Sequence, residues 1–564
     1  MKLYLRVFCG ALFAASLGVA GSAELTANVF GACEANPLEK LNGTNWAFEI
    51  HDSNRNYVLA SSAIGRFTAT IRNGQGVLDL TETYIIQGQV TRGATASGRY
   101  TVYSDCSGGE LFLNVRGFAL QLEYVFDRND RLQLVVDSAV GSTDFFGTPF
   151  PISSVMTGTA RLLGPLGCPA GVADPLQLLT GNPHALQTLM SNLASVAPRF
   201  LNAASVGTFV ASVRNGYGVI DAIETVNDGG SVTRRAVESG RFQVYSDCSG
   251  GEILLMNRTP PVQLEFVFAT PDRSETFLLS DHVDNAFQLL RGTTKRRTVL
   301  TCPTNPVDLL NGSSWSFQVE GSNTFAESLG VIGRFTATVR GGQGFLDISQ
   351  TSRFANNVNR LQGASGRYQV YSDCSGGELM FMVNGQAVQY EFIIVNENEL
   401  YLVSDSVVGQ LPAIARAVSV VAGSAIRNPP SACPAGVNPL QVMAGTTWVF
   451  RTYSNYLSGD GYGPPQIGSA SVGYFTAGVS NGLGVLSAVE TTNDADQITR
   501  LQQESGRYIV YPDCSGGEIM LMNRAVPVQL EFVFIGPNFD DMFLLSDSTT
   551  PQPGVNIQGR ARRQ

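Results

Sequence analysis

The chain reads as an all-β protein of four tandem antiparallel up-and-down β-barrels, with a β-sandwich as the alternative closure of the same strands. Three observations predict this. One heptapeptide recurs four times, as SDCSGGE at Ser104, Ser246 and Ser372 and as PDCSGGE at Pro512, at intervals of 126–142 residues, the length of one small domain. Each copy carries alternating apolar runs on either side of an Asn-Gly or Gly-Gly pair, which takes the positive φ of a tight hairpin turn. No segment has the 3.6-residue periodicity of a long amphipathic helix.

Each copy unfolds in the same order. A Cys followed by an Asn/Asp-Pro phrase opens it, at Cys33, Cys168, Cys302 and Cys433. A hairpin turns at Asn73-Gly74, Asn215-Gly216, Gly341-Gly342 and Asn481-Gly482. A variable polar stretch leads to SGRY or SGRF, then to the cysteine phrase and a further strand. A Gln-x-Glu strand follows (Gln121, Gln263, Gln389, Gln529), always 11 residues after the Glu of the heptapeptide, so the hairpin between them admits no insertion. A penultimate strand ends at Asp137, Asp281, Asp405 or Asp547, and the last strand carries arginine: Arg161, Arg416, Arg560, and Arg291 or Arg296 in the second copy. That gives about eight short strands joined sequentially, without the long crossover of a Greek key, which favours the barrel. Boundaries before the opening cysteines divide the chain into a signal peptide at 1–23 and repeats at 24–163, 164–299, 300–429 and 430–564, the second being divergent.

The first 23 residues read as a secretory signal: Lys2 and Arg6, an apolar Val7 to Ala20, and small Gly21-Ser22-Ala23. The expected destination is outside the cytoplasm: secreted, periplasmic or at the cell surface. No later run has the ~18 apolar residues of a spanning helix. The net charge of −10 and the absence of a basic stripe argue against nucleic acid. Only three of 37 basic residues are lysine, the usage of a GC-rich bacterial coding sequence.

Cys9 leaves with the signal, so two cysteines per copy remain in an oxidising destination. Pairing within each copy gives Cys33–Cys106, Cys168–Cys248, Cys302–Cys374 and Cys433–Cys514. The alternative, which joins Cys106 to Cys168 and so on, strands Cys33 and Cys514. Each long loop so closed is worth roughly 4–4.5 kcal/mol on the chain-entropy argument. Histidine does not recur beside the cysteines and no Cys-x-x-Cys occurs, which disfavours a metal.

The heptapeptide is superficially similar to the Gly-Asp-Ser-Gly-Gly-Pro of chymotrypsin-like proteases. A triad needs a histidine, and the three present (His51, His184, His282) occupy different positions, with none in copies three and four. Asp105, Glu110, Glu123 and Asp137 have counterparts in every copy and are the candidates for Ca²⁺ or acid–base work. Their plainer reading is structural: Asp105 caps a turn, and Glu123 pairs with the equally recurrent Arg99. On that reading Arg99–Glu123, Arg241–Glu265, Arg367–Glu391 and Arg507–Glu531 are ion pairs, or else ligand sites. No catalytic residue and no cofactor beyond this Ca²⁺ candidate is expected.

A tryptophan on the first strand after a glycine (Gly43 to Trp46, Gly312 to Trp315, Gly445 to Trp448), with an arginine on the last strand, resembles the lipocalin and wider calycin signature. The spacing is Gly-x-x-Trp rather than Gly-x-Trp, and His184 stands where the second copy should have Trp. The resemblance implies eight-stranded barrels, the Trp packed beneath the Arg at the closed end, and a small apolar ligand in the mouth. The expectation is therefore a secreted, non-enzymatic binding protein. The alternative is a structural or adhesive surface or matrix protein that uses its modules multivalently, its partner an extracellular surface component. An enzyme ranks third.

Overall fold

The computed structural model describes residues 33, 35–54, 61–86, 89–115, 118–127, 130–140, 142–143, 149–150, 154–165, 167–192, 201–229, 231–257, 261–280, 288–298, 300–322, 328–354, 357–383, 386–408, 420–428, 433–434, 436–455, 467–494, 497–522, 527–536, 538–546 and 556–564. The segment 1–23 expected to be a signal peptide, with His282, Asp281, Arg416 and Asp547, lies outside them.

Thirty-two strands form four closed eight-stranded barrels, each an antiparallel meander in which neighbours in sequence are neighbours in space. Barrel 1 runs from Thr44–Asn54 to Ser154–Leu163, barrel 2 from Pro183–Asn192 to Gln288–Arg296, barrel 3 from Ser313–Ser322 to Val420–Asn428 and barrel 4 from Thr446–Asn455 to Asn556–Arg563. One two-stranded ribbon, Ser142–Thr143 with Pro149–Phe150, interrupts barrel 1 before its last strand. The second and third strands meet at the expected turns, where Asn73 and Gly74 take φ of 52° and 74° and the other three pairs do likewise.

Each Asn/Asp-Pro phrase starts a single 3₁₀ turn that plugs the closed end of its barrel: Pro37–Lys40, Pro175–Leu178, Pro306–Leu309 and Pro439–Val442. Tyr100, Tyr368 and Tyr508 tie these plugs down by donating to the carbonyls of Leu38, Val307 and Leu440 at 2.9–3.1 Å. Above the plug lies an aromatic floor. Trp46, Trp315 and Trp448 stack on Phe67, Phe335 and Phe475, and each indole N–H finds a hydroxyl two residues earlier. In barrel 2, His184 replaces the indole: it stacks on Phe209 at 4.9 Å and its Nε2 lies 3.2 Å from the Leu179 carbonyl. Burial holds its pKa down to about 4, so the ring is neutral and Nε2–H donates.

Of the last-strand arginines expected at the floor, Arg296 of barrel 2 is in place, whereas barrels 3 and 4 use others. Arg427 and Arg563 stand opposite Trp315 and Trp448 in register, and Arg296 opposite His184. Arg161 and Arg560 lie at the other parity and point out of their barrels, because side chains alternate across a strand.

The four barrels form a ring. Ala47, Ile64 and Ile85 from the first three strands of barrel 1 pack on Val267, Phe277 and Leu279 from the sixth and seventh strands of barrel 2. Ala185, Ala204 and Val206 of barrel 2 meet Ile393, Tyr401 and Val403 of barrel 3. Ile332 of barrel 3 meets Val533, Phe543 and Leu545 of barrel 4. Val449, Ala470 and Val472 of barrel 4 return to Val125 and Val135 of barrel 1. The same head-to-tail contact used four times closes on itself, as a heterologous interface must to avoid an open filament. Buried aliphatic side chains of this size contribute roughly 1.5–3 kcal/mol each.

Candidate functional site

The heptapeptide is a turn and a docking post. Asp105 Oδ1 accepts from the Ser107 amide (3.0 Å) and hydroxyl (2.7 Å), and Cys106 takes a φ of 56°. Gly108 and Gly109 admit no side chain, since a Cβ there would stand 2.0 Å from the carbonyl oxygens of Tyr124 and Thr101. The disulfides are Cys33–Cys106, Cys168–Cys248, Cys302–Cys374 and Cys433–Cys514. The preceding barrel reaches into this turn. Arg66 of barrel 1 binds Asp247 of barrel 2. Arg235 of barrel 2 binds Asp373 and Ser375 of barrel 3 at 3.0 and 3.2 Å, with its guanidinium 4.2 Å from the Tyr371 ring centre.

The expected Arg–Glu pairs do not form. Arg99, Arg241, Arg367 and Arg507 are exposed, whereas Glu123, Glu265, Glu391 and Glu531 are buried. Arg99 stands opposite Phe112 on the fifth strand, and Glu123 lies beyond that strand opposite Glu110, two residues further along, out of reach. The same registers hold in the other copies: Arg241 opposite Leu254, Arg367 opposite Met380, Arg507 opposite Met520. The glutamates point out of their own barrels and are covered by the neighbouring one. Thr83 of barrel 1 donates to Glu265 at 2.7 Å, and Thr351 of barrel 3 donates to Glu531 at 2.7 Å, joined there by Arg360 at 3.2 Å. Thr83 and the equivalent threonines of barrels 2 and 4 also accept the amide of a residue in the left-handed conformation: Gly93 on Thr83, Arg235 on Thr225 and Leu501 on Thr491. The recurrent glutamate therefore belongs to the seams of the ring.

The arginines remain on its rim. Each sits between a partly buried apolar residue on the third strand (Val77, Val219, Phe345, Val485) and an apolar residue on the fifth (Phe112, Leu254, Met380, Met520), with the recurrent glutamine beyond. Arg367 lies 5.7 Å from the Phe345 ring centre. Gln121, Gln263 and Gln529 donate to Glu110, Glu252 and Glu518 at 2.8–3.3 Å. Asp105, Glu110 and Glu123 thus have separate jobs, and no group of three or more His, Cys, Asp or Glu suited to a metal occurs among the described residues.

Sequence reasoning missed two further clusters. Inside the barrels, Glu224 and Glu238 of barrel 2 and Glu490 and Glu504 of barrel 4 are buried on the inner face, diagonal neighbours on the third and fourth strands. Above them Thr188 meets Ser205 at 2.7 Å and Thr452 meets Ser471 at 2.8 Å. Burial pushes the Glu504 carboxyl up to about 7.

The second cluster lies on the ring axis, where all four barrels meet. Glu49 and His51 of barrel 1, 3.3 Å apart, approach Arg291 of barrel 2 and Arg451 of barrel 4. Burial opposes ionisation of Glu49, yet His51, Arg451 and Arg291 hold it down to about 2. Glu320 of barrel 3 lies 4.0 Å from Arg291 and accepts the Tyr453 hydroxyl. Nearby runs a second circuit. Arg161 binds Glu275 at 2.5 Å, and Lys295 lies 3.8 Å from Glu275 and 2.7 Å from Glu399. Arg560 and Arg562 share Asp541, and Arg562 and Arg131 flank Asp127 at 3.8 and 3.9 Å. The readable signal was an arginine-rich last strand whose arginines alternate with inward small residues (Gly158, Ala160; Gly559, Ala561).

No family model matches the chain, and no curated protein matches it in sequence. Among solved structures it is similar to transferrin binding protein B of Haemophilus parasuis, at 8% identity over 78% of this chain and 85% of that one, with a TM-score of 0.18. The isotype 1 transferrin binding protein B of Neisseria meningitidis gives 9% identity over 77% and 84%, with a TM-score of 0.19. Kievitone hydratase of Nectria haematococca gives 7% over 48% and 95%, with a TM-score of 0.18. None of these likenesses is close enough to transfer a partner or an activity.

Proposed function

We propose that this chain is a secreted, non-catalytic binding scaffold: a ring that displays one surface patch four times to an extracellular surface component bearing carboxylate or sulfate groups. The observation that carries this is the fate of the four recurrent arginines. Arg99, Arg241, Arg367 and Arg507 persist in copies that differ widely elsewhere, yet they are exposed and face an apolar neighbour on the fifth strand. Folding makes no evident demand for a charged, exposed residue there, whereas a guanidinium beside apolar surface suits an anionic partner. Four equivalent weak sites on one rigid ring give avidity without any strong single contact.

The test is binding of the full chain to immobilised heparin and polygalacturonate by biolayer interferometry. Replacing these arginines by glutamine one, two and four at a time should weaken binding stepwise, to on the order of 100-fold for the quadruple variant. Its melting temperature should stay within about 2 °C, because exposed charges contribute little to stability. Undiminished binding by the quadruple variant to whichever probe is retained, or no retention on either, sinks the reading.

One observation favours a second reading, a small ligand held inside barrels 2 and 4. Their interiors carry the glutamate pairs and Thr–Ser contacts that barrels 1 and 3 lack. Native mass spectrometry of the purified protein, with mass added per chain, separates the two.

A further inference from the structure

Among the described residues, the ring axis carries more positive charge than its carboxylates neutralise. Along the circuit described above, five cationic side chains (Arg131, Arg161, Lys295, Arg560, Arg562) meet four carboxylates (Asp127, Glu275, Glu399, Asp541). The surplus falls at one place. Asp127 already accepts Gln133 Nε2 at 2.7 Å and is flanked by Arg562 and Arg131 at 3.8 and 3.9 Å, too far for a charge-assisted hydrogen bond with either. Arg161 spends one guanidinium nitrogen on Glu275, while its Nε is buried without an acceptor. Burial, with Arg161, Arg562 and Arg560 close by, pushes Arg131 down to about 9. The side chains of Arg131, Arg161 and Arg562 nevertheless keep 14–21% of their surface open to solvent, so a small solute can reach them.

We propose that the axis binds one small oxyanion per chain between Arg131, Arg161 and Arg562. Arg131 brings its whole donor fork, Arg161 the nitrogens that Glu275 leaves, and Arg562, whose Nε and Nη2 bond Asp541, its remaining Nη1; such planar donors from barrels 1 and 4 suit a carboxylate, phosphate or sulfate. A cation held among cations away from bulk water is costly until an anion joins it. Arg562 belongs to barrel 4 and the other two arginines to barrel 1, so the bound anion would also fasten the seam between these barrels.

Isothermal titration of the full-length protein with inorganic phosphate, and separately with citrate, tests this at constant ionic strength set by sodium chloride. The expected result is saturable binding of one anion per chain, with a rise in melting temperature of roughly 5 °C at a hundredfold excess over Kd that chloride does not reproduce. Preference between phosphate and citrate identifies the oxyanion class. In Arg131→Gln the anion-dependent rise should vanish, and its melting temperature without anion should equal or exceed that of the unaltered chain. Arg131→Lys, which keeps the charge but loses the fork, should weaken binding at least tenfold. Absence of heat and of a thermal shift in the unaltered chain, or an undiminished shift in Arg131→Gln, overturns the proposal.

Discussion

Barrels 1 and 3 differ from barrels 2 and 4 inside, although all four present the same face to the next barrel. On the inner face above the floor, Ile50 opposes Ala63 in barrel 1 and Val319 opposes Val331 in barrel 3. The equivalent pairs are Thr188 with Ser205 in barrel 2 and Thr452 with Ser471 in barrel 4. On the fourth strand, Ala96 and Ala364 of the odd barrels stand where Glu238 and Glu504 stand in the even ones. The disulfide spans follow the same alternation, 73 and 72 residues against 80 and 81. The effective repeat is thus a pair of barrels. The outer faces are tied to one another by ring closure, so changing one disturbs a neighbour. An interior answers only to its own packing and was free to diverge.

The largest expected effect tests whether the floors carry equal weight. Trp448→Ala should cost about 3–5 kcal/mol, since it empties the largest side chain of a closed core. His184→Ala, which removes a smaller ring and one hydrogen bond, should cost about 1–3 kcal/mol. Urea titration followed by tryptophan-independent circular dichroism measures both. Equal costs would mean that barrel 2 depends on its floor as much as the Trp-floored barrels do.

The next effect separates even from odd by pH. Glu504 is raised from 4.5 to about 7 by burial, so between those values the folded chain holds a proton that the unfolded chain has released. Its contribution therefore favours folding below pH 4.5 and is lost as pH rises toward and through 7. The loss should be roughly 1–3 kcal/mol, discounted for water at the barrel mouth. Glu504→Gln should flatten this part of the melting-temperature profile between pH 5 and 8 and stabilise the chain at pH 8. An unchanged slope would show that Glu504 is ionised in the folded state.

How much of this was legible beforehand depends on which side of a strand is asked about. The Asn-Gly turns, the sequential hairpins and the closed barrels could be read from residues adjacent in sequence. The ring could not, although one signal was present. The seventh strands, Glu275–Ser280 and Asp541–Ser546, are buried at every position, while the third strand Tyr217–Asp228 largely alternates. A continuous apolar run means burial on both faces, which a lone barrel wall facing water does not need. The same parity explains the misassigned pair. Glu123 sits between inward Leu122 and Tyr124, so it points outward into what becomes a seam, and Arg99 points outward to the rim. Recurrence identified both residues as kept without showing that they are kept for different neighbours.

The smallest effect concerns the Thr–Ser contact itself. Thr452 and Ser471 satisfy each other inside barrel 4 at 2.8 Å, and barrel 3 fills the equivalent place with two valines. Ser471→Val alone strands a buried hydroxyl and should cost about 1–3 kcal/mol. Adding Thr452→Val removes that orphan and substitutes the pair found in barrel 3, so the double variant should return to within about 1 kcal/mol of the unaltered chain. The non-additivity, read from the two single variants and the double in urea, measures the contact. If the double variant stays as unstable as Ser471→Val, the hydroxyls are held by more than each other. The polar interior of the even barrels would then be a connected network, which is the arrangement the small-ligand reading requires.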